Sequence, residues 1–582
     1  MSGSTPPPGD PQDLPGDPAN PVDPVRDGAP GADAAGDDTQ GPASSAAVRR
    51  GAALMASGTA ASRLLGFLRA MVLAVAIGST SQAADAFSVA NKLPNVLYML
   101  LAGGVLNAVL VPQVVRAYKR HAGQEYVDRL LSFGFAVLAV ATVALTFAAP
   151  LLVRLYADPC SEAQLALATS FAYWCIPQLF FYGAYALLGQ VLNARGSFGP
   201  YMWAPVVNNL VSIAGFTLFI VLSGEVGAAD AWSAGQIALF GGSATLGIVC
   251  QALVLVPFLR RAGVRYHWRW GLRGSGLGRA GTVATWTFVG LAIGQLGYIV
   301  VSRVASAAPG VACDPTTEIA GNAAYDYAFM LFMLPHSLVT VSLATALFTR
   351  LSSQAHDGDV AGVRGSLSSG MRVVGLFTFL AGAALVVLAE PVVRIVLPSQ
   401  PQGSVDAIAG VLIAMAVGLP AFGAWSMCQR VYYAYEDAKG MVPIQVVMAV
   451  VVVAGTLAGQ ALLPNALWVA GAGFSMSVSY LVGTVIAILT LRRRLGGRID
   501  GARLVRTHAR AALAAIVAAG AGFGVLLAVL AVGPDGVAGA VVQCLVAGTV
   551  MVLVYLGGLR VLRVGELDTL LGPVLRRVRG RR

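Results

Sequence analysis

The sequence predicts an all-α polytopic membrane protein of about 14 transmembrane helices. Hydrophobic residues make up 57% of its 582 residues and charged residues only 12%, and the mean hydropathy is +0.72. Soluble domains do not have this composition. From Met55 to Leu562 apolar runs of about 20 residues or more follow one another, and each is long enough to cross a hydrocarbon core.

The loops between these runs alternate in charge along the chain. Every second loop is rich in Arg and Lys, and the loops between have almost none, a pattern typical of cytoplasmic and external loops respectively. We therefore predict that the basic loops and both termini lie in the cytoplasm. The predicted spans lie at approximately 55–78, 85–112, 130–155, 164–192, 203–223, 236–259, 282–304, 322–348, 371–397, 407–434, 441–463, 466–491, 509–532 and 537–562.

The two ends of the chain and a short repeat define the organisation. Residues 1–47 are rich in Pro, Asp, Gly and Ala, which predicts a disordered cytoplasmic tail. Asp85 precedes Leu93-Pro94 in the second span, and Asp326 precedes Leu334-Pro335 in the eighth at the same spacing. Such a repeat indicates two lobes of equal topology around a cavity. The predicted regions are an N-lobe of six helices at 50–260, a C-lobe of six helices at 278–491, two extra helices within 507–562 and a basic cytoplasmic tail at 563–582.

Four ionisable residues lie where lipid is expected: Arg63 and Arg69 in the first span, and Asp85 and Lys92 entering the second. Each charge costs about 2.5–3.5 kcal/mol at the bilayer centre on insertion scales, so a functional role is expected. Arg69 and Lys92 lie at similar depths, about 10–12 Å from the outer ends of their helices. Three cations against one anion predict a diphosphate site, because Arg binds phosphate oxygens bidentately and Lys adds a point charge.

Other roles stay open for some of these residues. The side chain of Arg63 could extend to the inner membrane surface. Asp85 could lie at the N-terminus of its own helix, where the helix dipole stabilises a negative charge. Asp326 and Arg303 are candidates for a secondary polar patch in the C-lobe. Arg303 could instead anchor the outer end of the seventh span, and Asp326 could cap the eighth.

The sequence contains no catalytic or metal-binding motif. GxxxxGK[ST], HExxH and GxSxG are all absent, so we expect neither an enzyme nor a bound cofactor or metal. The net charge of +11 reflects the basic loops rather than nucleic-acid binding. If the polar residues serve to move a charged ligand across the membrane, a coupling ion or the membrane potential would supply the energy. Cys160 and Cys313 fall in predicted external loops, where a disulfide between them is one alternative.

Several motifs point to a known family. The first two spans contain Ser62 to Arg69 (SRLLGFLR), Asp85-Ala86-Phe87 and Lys92-Leu93-Pro94-Asn95, and later segments contain Ala204-Pro205 and Tyr432-Tyr433-Ala434. With these motifs the chain resembles the MurJ/MviN lipid II flippases of the MOP transporter superfamily over about residues 50–560.

The resemblance implies a flippase of fourteen helices in the bacterial plasma membrane. Such a protein would move lipid II, the undecaprenyl-diphosphate-linked peptidoglycan precursor, from the inner to the outer leaflet by alternating access. Family cavity residues correspond to Arg63, Arg69, Asp85 and Asn95, and our reading of the charges adds Lys92 to this substrate-binding set. The expected partners are lipid II, membrane lipids and cell-wall synthesis proteins.

The chain also departs from the family pattern. Many members have an acid, an Arg and a second acid at three positions of the first two spans, where this chain has Ala70, Tyr98 and Gly103. In the eighth span, Phe329, Met330 and Met333 stand where Asp, Arg and Glu are expected. A C-lobe phosphate clamp is therefore expected to be missing or replaced. The chain looks most like actinobacterial members, some of which carry a kinase-like domain after the membrane part, and we expect no such domain here.

Two other functions stay open at this point. A transporter of the same fold could carry another polyprenyl-linked glycan or export a small cation as MATE proteins do. Alternatively, a scaffold could recruit cell-wall enzymes without transporting anything, for which the altered eighth span and the Pro/Asp-rich tail are arguments. Accumulation of inward-facing lipid II on depletion would identify the cargo, and transport by the purified protein would exclude the scaffold.

Overall fold

The structure, a computed structural model, describes residues 42–567 except 102–123, 160, 196, 271–277, 312–317, 498–499 and 535. Within these residues it contains helices and no strand, which confirms the predicted fold class. Each predicted span corresponds to a helix or to a pair of consecutive helices. In chain order these are α1 (Pro42–Ile77), α2 (Gln82–Leu101), α3 (Gln124–Phe147 with Ala149–Tyr156), α4 (Glu162–Ala194), α5 (Gly199–Ser223), α6 (Ala234–Arg261), α7 (Gly278–Ala307), α8 (Asn322–His356), α9 (Val360–Val387 with Ala389–Val396), α10 (Gln402–Ala416 with Leu419–Ala434), α11 (Ala438–Leu462), α12 (Trp468–Arg494), α13 (Gly501–Val532) and α14 (Gly536–Val561).

Thirteen of these are long and apolar enough to cross a membrane, counting the bent α10 as one span. The fourteenth predicted span is α2, whose described part carries Asp85, Asn91, Lys92 and Asn95 and is correspondingly less apolar. Half of the α2 residues are buried, so protein rather than lipid surrounds much of this helix. Its polarity is therefore tolerated at membrane depth.

Breaks in the helices coincide with proline or glycine. α4 is interrupted next to Pro177, and the two parts of α10 meet at 49° beside Gly418 and Pro420. In α8 a π-helical turn, His336–Thr340, follows Pro335 directly. Proline lacks the N–H that the helix ladder needs and clashes with the preceding turn. The repeated proline of α2, Pro94, produces no such break over the described residues.

The helices pack in two groups, and the described residues from 51 onward form one compact unit. α2–α6 pack mainly among themselves, as do α7–α12. The groups meet where α2 contacts α7 and α8 and where the end of α3 contacts α7, and α1 contacts α8 through the Tyr327 hydroxyl, which donates to the Ala70 carbonyl. Because these contacts join the two groups into one unit, the residues at which one lobe ends and the other begins stay a prediction. The other unit, residues 1–50, is described only from Pro42, where α1 begins, so residues 42–47 of the predicted tail are helical.

Four aromatic rings fix α2 within the first group of helices. Phe87 of α2 packs edge-on against Phe171 of α4 at 5.4 Å and Phe240 of α6 at 4.9 Å between ring centroids, and Phe240 stacks on Phe216 of α5 at 4.7 Å. All four are at most 2% exposed. Edge-to-face and offset rings of this kind are favourable beyond the area that they bury.

The last two helices are attached to α9. Arg372 of α9 forms an ion pair of 2.8 Å with Glu566, just after α14, and both residues are less than 10% exposed. The Tyr555 hydroxyl of α14 donates to the Leu376 carbonyl at 2.6 Å. α13 and α14 therefore belong structurally to the second group of helices.

Four of the six cysteines lie within the described residues. Cys175, Cys250, Cys428 and Cys544 are free thiols within helices, where they pack as small apolar side chains. Cys160 and Cys313 lie outside the described residues.

We expect the aromatic cluster to dominate the stability of the first group. Phe240→Ala should lower the free energy of unfolding by about 3 kcal/mol, because it leaves a cavity among three other rings. Leu246→Ala on the same helix, at a side chain that is 53% exposed, should cost less than about 1 kcal/mol. Denaturant titration of the purified protein in detergent measures both, and equal losses would contradict the assignment.

Candidate functional site

A cavity of about 300 Å³ lies between α1, α2, α4, α5, α6 and α8. Its wall combines apolar side chains with convergent polar ones, as in ligand sites generally. Its polar and charged lining residues are Arg69, Ser88, Asn91, Lys92, Asn95, Gln178, Tyr182, Asp326 and Tyr327. The predicted pair Arg69 and Lys92 thus lines one cavity.

The polar face of α2 supplies four of these residues. Ser88, Asn91, Lys92 and Asn95 recur every three or four positions, which places them on one side of a helix. Gln178 reaches this face from α4 and donates to the Asn91 side-chain oxygen at 3.2 Å. Ser88 and Asn91 were not among the predicted site residues, although this spacing alone could have identified them.

Lys92 is paired across the two groups of helices. Its ammonium contacts the Asp326 carboxylate of α8, and the Ser88 hydroxyl donates to the same carboxylate at 2.6 Å. The ammonium also lies 4.4 Å from the centre of the Tyr298 ring of α7, within the range of a cation–π contact. Both partners of the ion pair are about one-third exposed to the cavity.

Asp85 has a different role from a cavity residue. It is 2% exposed, and its carboxylate accepts a hydrogen bond from the Ala323 N–H, in the first turn of α8, at 2.8 Å. Gly321 precedes this helix and provides no side-chain cap, so Asp85 supplies the missing acceptor from α2. An anion at a helix N-terminus is favoured by the helix dipole. The Asp85 carboxylate therefore stabilises the N-terminus of α8 rather than that of its own helix, α2.

The two arginines of α1 occupy different surroundings. Arg69 lines the cavity beside Tyr182 and Tyr327 and has no carboxylate partner among the residues that the structure describes. Arg63 does not line the cavity, and its guanidinium donates to the Ser337 hydroxyl of the α8 π turn at 2.9 Å. It lies six residues, about 9 Å along the helix, farther from Ile77 than Arg69 does.

The remaining predicted residues separate in the same way. Asn95 lines the cavity. Arg303 lies at the surface, where it forms an ion pair with Asp158 at 3.1 Å and donates to the Arg154 carbonyl at 2.8 Å. Asp326 therefore does not share a patch with Arg303, and it instead joins the Lys92 site. With Asp326 included, the charge of the predicted cluster falls from two excess positives to one.

A second cavity of about 380 Å³ adjoins Lys92 on the other side, among α7, α8 and α10–α12. Aliphatic, methionine and aromatic side chains form most of its wall, two glutamines add polar groups, and Lys92 is its one charged lining residue among those described. The aromatic lining includes Phe329, and Met330 lines the first cavity. Both positions, expected to be charged in the family, thus contribute apolar surface to the cavities.

Contacts between the two groups of helices concentrate at one end of the bundle. We call this the acidic end, defined by the loops with Gly78, Asp158, Glu225 and Glu318, and the opposite one, with Arg195, Arg260, Arg430 and Arg494, the basic end. At the acidic end the Thr80 and Ser404 hydroxyls are 2.8 Å apart, and the Gln400 amide donates to the Ala74 carbonyl at 2.9 Å. These bonds, with those of Asp85 and Lys92, close the acidic end.

Comparison with known proteins gives consistent results. A family model described as "Lipid II flippase MurJ" matches residues 73–541. The probable lipid II flippase MurJ of Rhizobium meliloti (strain 1021) is 27% identical over 402 residues, which is 66% of this chain and 70% of the relative. That of Rhizobium tropici is 25% identical over 447 residues, 75% of this chain and 79% of the relative.

Solved structures share the fold. The chain is similar to a lipid II flippase MurJ in an inward closed conformation, with a TM-score of 0.66 and 18% identity over 88% of this chain and 100% of that one. It is also similar to an inward-facing multidrug resistance MATE transporter of the MOP superfamily, with a TM-score of 0.55 and 16% identity over 75% and 98%. The family match covers most of the chain, including Asp85, Lys92 and Asp326. The chain therefore belongs to the MurJ family of lipid II flippases.

Proposed function

We propose that this chain moves lipid II from the inner to the outer leaflet of the bacterial plasma membrane by alternating access, for cell-wall synthesis. Family membership supports the cargo. The basic loops support a cytoplasmic basic end with both termini inside, because Lys and Arg are retained on that side of a membrane. Closure of the acidic end by Thr80, Asp85 and Lys92 then corresponds to a state that is shut to the outside.

The observation that carries the proposal is the cationic cavity itself. Arg69 has no carboxylate partner among the described residues, and Lys92 is held by a single one, Asp326. A diphosphate that binds Arg69 would compete with Asp326 for the Lys92 ammonium, since charge-assisted hydrogen bonds to phosphate are among the strongest available. Substrate binding and release of the ion pair between the lobes would thus be one event.

Release of this pair weakens the closure at the acidic end. Opening also breaks the Thr80–Ser404 and Gln400–Ala74 bonds, which are neutral and individually worth about 1 kcal/mol. A cavity of about 300 Å³ lies at the lower limit for a drug-sized ligand, so a glycan headgroup requires the lobes to separate. The membrane potential can contribute to the drive, at about 2.3 kcal/mol per charge and 100 mV.

The arrangement of α1 suggests two stations for the diphosphate. Arg63 lies nearer the basic end of the span Ser57–Ile77 and Arg69 nearer the acidic end, about 9 Å apart along the helix. A headgroup entering from the basic end would meet Arg63 first and Arg69 second. The polyprenyl tail would remain in lipid along α13 and α14, which expose apolar side chains such as Ile516 and Leu553.

Arg69→Ala should abolish rescue of cells depleted of their own flippase, because it removes the cation without a carboxylate partner. The purified variant should bind lipid II about tenfold more weakly, a loss of about 1.4 kcal/mol. Arg69→Lys should retain part of the activity, since it keeps the charge but not the bidentate geometry.

Arg260→Ala is the matched control for this experiment. Arg260 is exposed at the basic end of α6, outside the cavity and away from the contacts that close the acidic end, so rescue should be unchanged. Rescue by Arg69→Ala equal to that by the wild type would contradict the site, and failure of the wild type to translocate lipid II in proteoliposomes would contradict the function.

A disulfide across the acidic end should arrest transport. The Thr80 and Ser404 hydroxyls are 2.8 Å apart, a separation compatible with a bond between cysteines at these positions. Oxidation of the Thr80→Cys, Ser404→Cys double variant should remove most lipid II translocation in proteoliposomes, and reduction should restore it.

The two single-cysteine variants control for oxidation elsewhere and should keep their activity. Translocation by the fully cross-linked protein at the rate of the reduced protein would show that the acidic end need not open.

A further inference from the structure

A third cavity, lined by charged residues and separate from the two cavities beside Lys92, lies at the basic end below α13 and α14. Its volume is about 860 Å³. α9, α12, α13 and the segment after α14 all contribute to its wall, so it is formed only when these elements are assembled. Its arginines are Arg364, Arg492, Arg503, Arg506, Arg510 and Arg563, and its acidic residues are Asp500 and Glu566.

The positive charge of this pocket is largely uncompensated. Six arginines against two carboxylates leave four positive charges, and one carboxylate, Glu566, is already paired with Arg372 at 2.8 Å. Arg503 is 3.8 Å from the same carboxylate. The other five arginines have no ion pair with a carboxylate in the part of the chain that the structure describes. An anionic ligand would stabilise this arrangement.

The pocket is held in shape by contacts of its own. The buried Arg372–Glu566 pair fixes the segment after α14 against α9. Arg510 donates to the Arg563 carbonyl at 3.2 Å, and Arg492 donates to the Gly497 carbonyl at 3.0 Å. These bonds use carbonyl oxygens and leave the charges of the arginines available to a ligand.

The start of α13 adds backbone donors to the same pocket. Gly501, Ala502 and Arg503 line it, and they form the first turn of a helix of 32 residues. The N–H groups of a first turn have no partner within the helix, and Asp500 makes no side-chain cap there. Helix N-termini of this kind bind phosphate through these N–H groups and the helix dipole.

An apolar surface continues from the arginines toward the membrane. Leu513 and Val517 follow Arg506 and Arg510 by seven residues, so each lies on the same face of α13 as its arginine. Their side chains are 52% and 55% exposed. A soluble anion would not use this surface, whereas a phospholipid has both a phosphate for the arginines and an acyl chain for the leucine and valine.

We propose that this pocket binds the headgroup phosphate of an acidic phospholipid, with an acyl chain along Leu513 and Val517. Basic pockets between membrane helices are suited to such headgroups. The bound lipid would link α9, α12 and α13 at the level of the membrane surface. The site is separate from Arg69 and Lys92 and does not depend on the identity of the transported lipid.

The test measures binding of phosphatidylglycerol to the full chain in neutral detergent, in the absence of lipid II. Native mass spectrometry gives the number of lipids retained and the dissociation constant, with phosphatidylcholine as the uncharged reference. Arg506→Gln combined with Arg510→Gln should weaken phosphatidylglycerol binding about tenfold. Leu513→Gln should also weaken it, because the acyl chain loses its apolar contact.

The matched control is Arg260→Gln combined with Arg261→Gln. Both arginines are exposed at the basic end of α6, so this variant loses the same charge outside the pocket and should bind phosphatidylglycerol like the wild type. Equal losses in the two double variants, or no loss in the first, would overturn the proposal.

Inorganic diphosphate distinguishes the two sources of phosphate. If it binds the wild type as tightly as phosphatidylglycerol does, with the same dependence on Arg506 and Arg510, the site is one for a soluble anion and the lipid assignment fails. An unchanged unfolding midpoint confirms that the double variant is folded. If that variant is not folded, Arg506→Gln alone replaces it and should weaken binding in the same direction.

Discussion

A charge within a bilayer must be paired, hydrogen-bonded or hydrated, because low-dielectric surroundings make an isolated ion very costly. The chain meets this constraint by turning its ionisable residues toward the interface between the two groups of helices. Asp85 is satisfied by the start of α8, Lys92 by Asp326, and Arg63 by Ser337. The same contacts join the groups, so the features that make the charges tolerable also close the acidic end. Arg69 differs in facing the cavity without a carboxylate partner among the described residues.

Composition and charge periodicity were sufficient to predict the fold class and a helix for every span, because a membrane-crossing helix is specified locally by about 20 apolar residues. Residue number also placed Arg69 and Lys92 at one depth, and both line the same cavity. Asn95 lines it too, but only the family resemblance had pointed to that residue. The partner of Lys92 was not predicted. Asp326 is 234 residues away in the chain, and such pairing depends on how the two groups dock. The π turn that carries Ser337 to Arg63 likewise has no clear signature in sequence.

The family pattern leads us to expect an arginine from the second group of helices in the cavity, and this chain has none there among the described residues. Phe329, Met330 and Met333 offer no cation, and Asp326 contributes a negative charge. Over the part of the chain that the structure describes, the cations that line the first cavity are therefore Arg69 of α1 and Lys92 of α2, in keeping with the predicted loss of a C-lobe clamp. Asp326 makes this asymmetry useful under the proposed mechanism, since an anion in one lobe can hold the cation of the other until phosphate replaces it.

The buried pair between Arg372 and Glu566 determines which half of the molecule carries the last two helices. With α13 and α14 fixed to α9, a rocking transporter consists of two unequal rigid bodies, one of six helices and one of eight. A lipid tail lying on α13 and α14 would travel with the larger body and stay at rest relative to it. The headgroup alone would then exchange between bodies during the cycle, and the smaller body would make the larger movement through the surrounding bilayer.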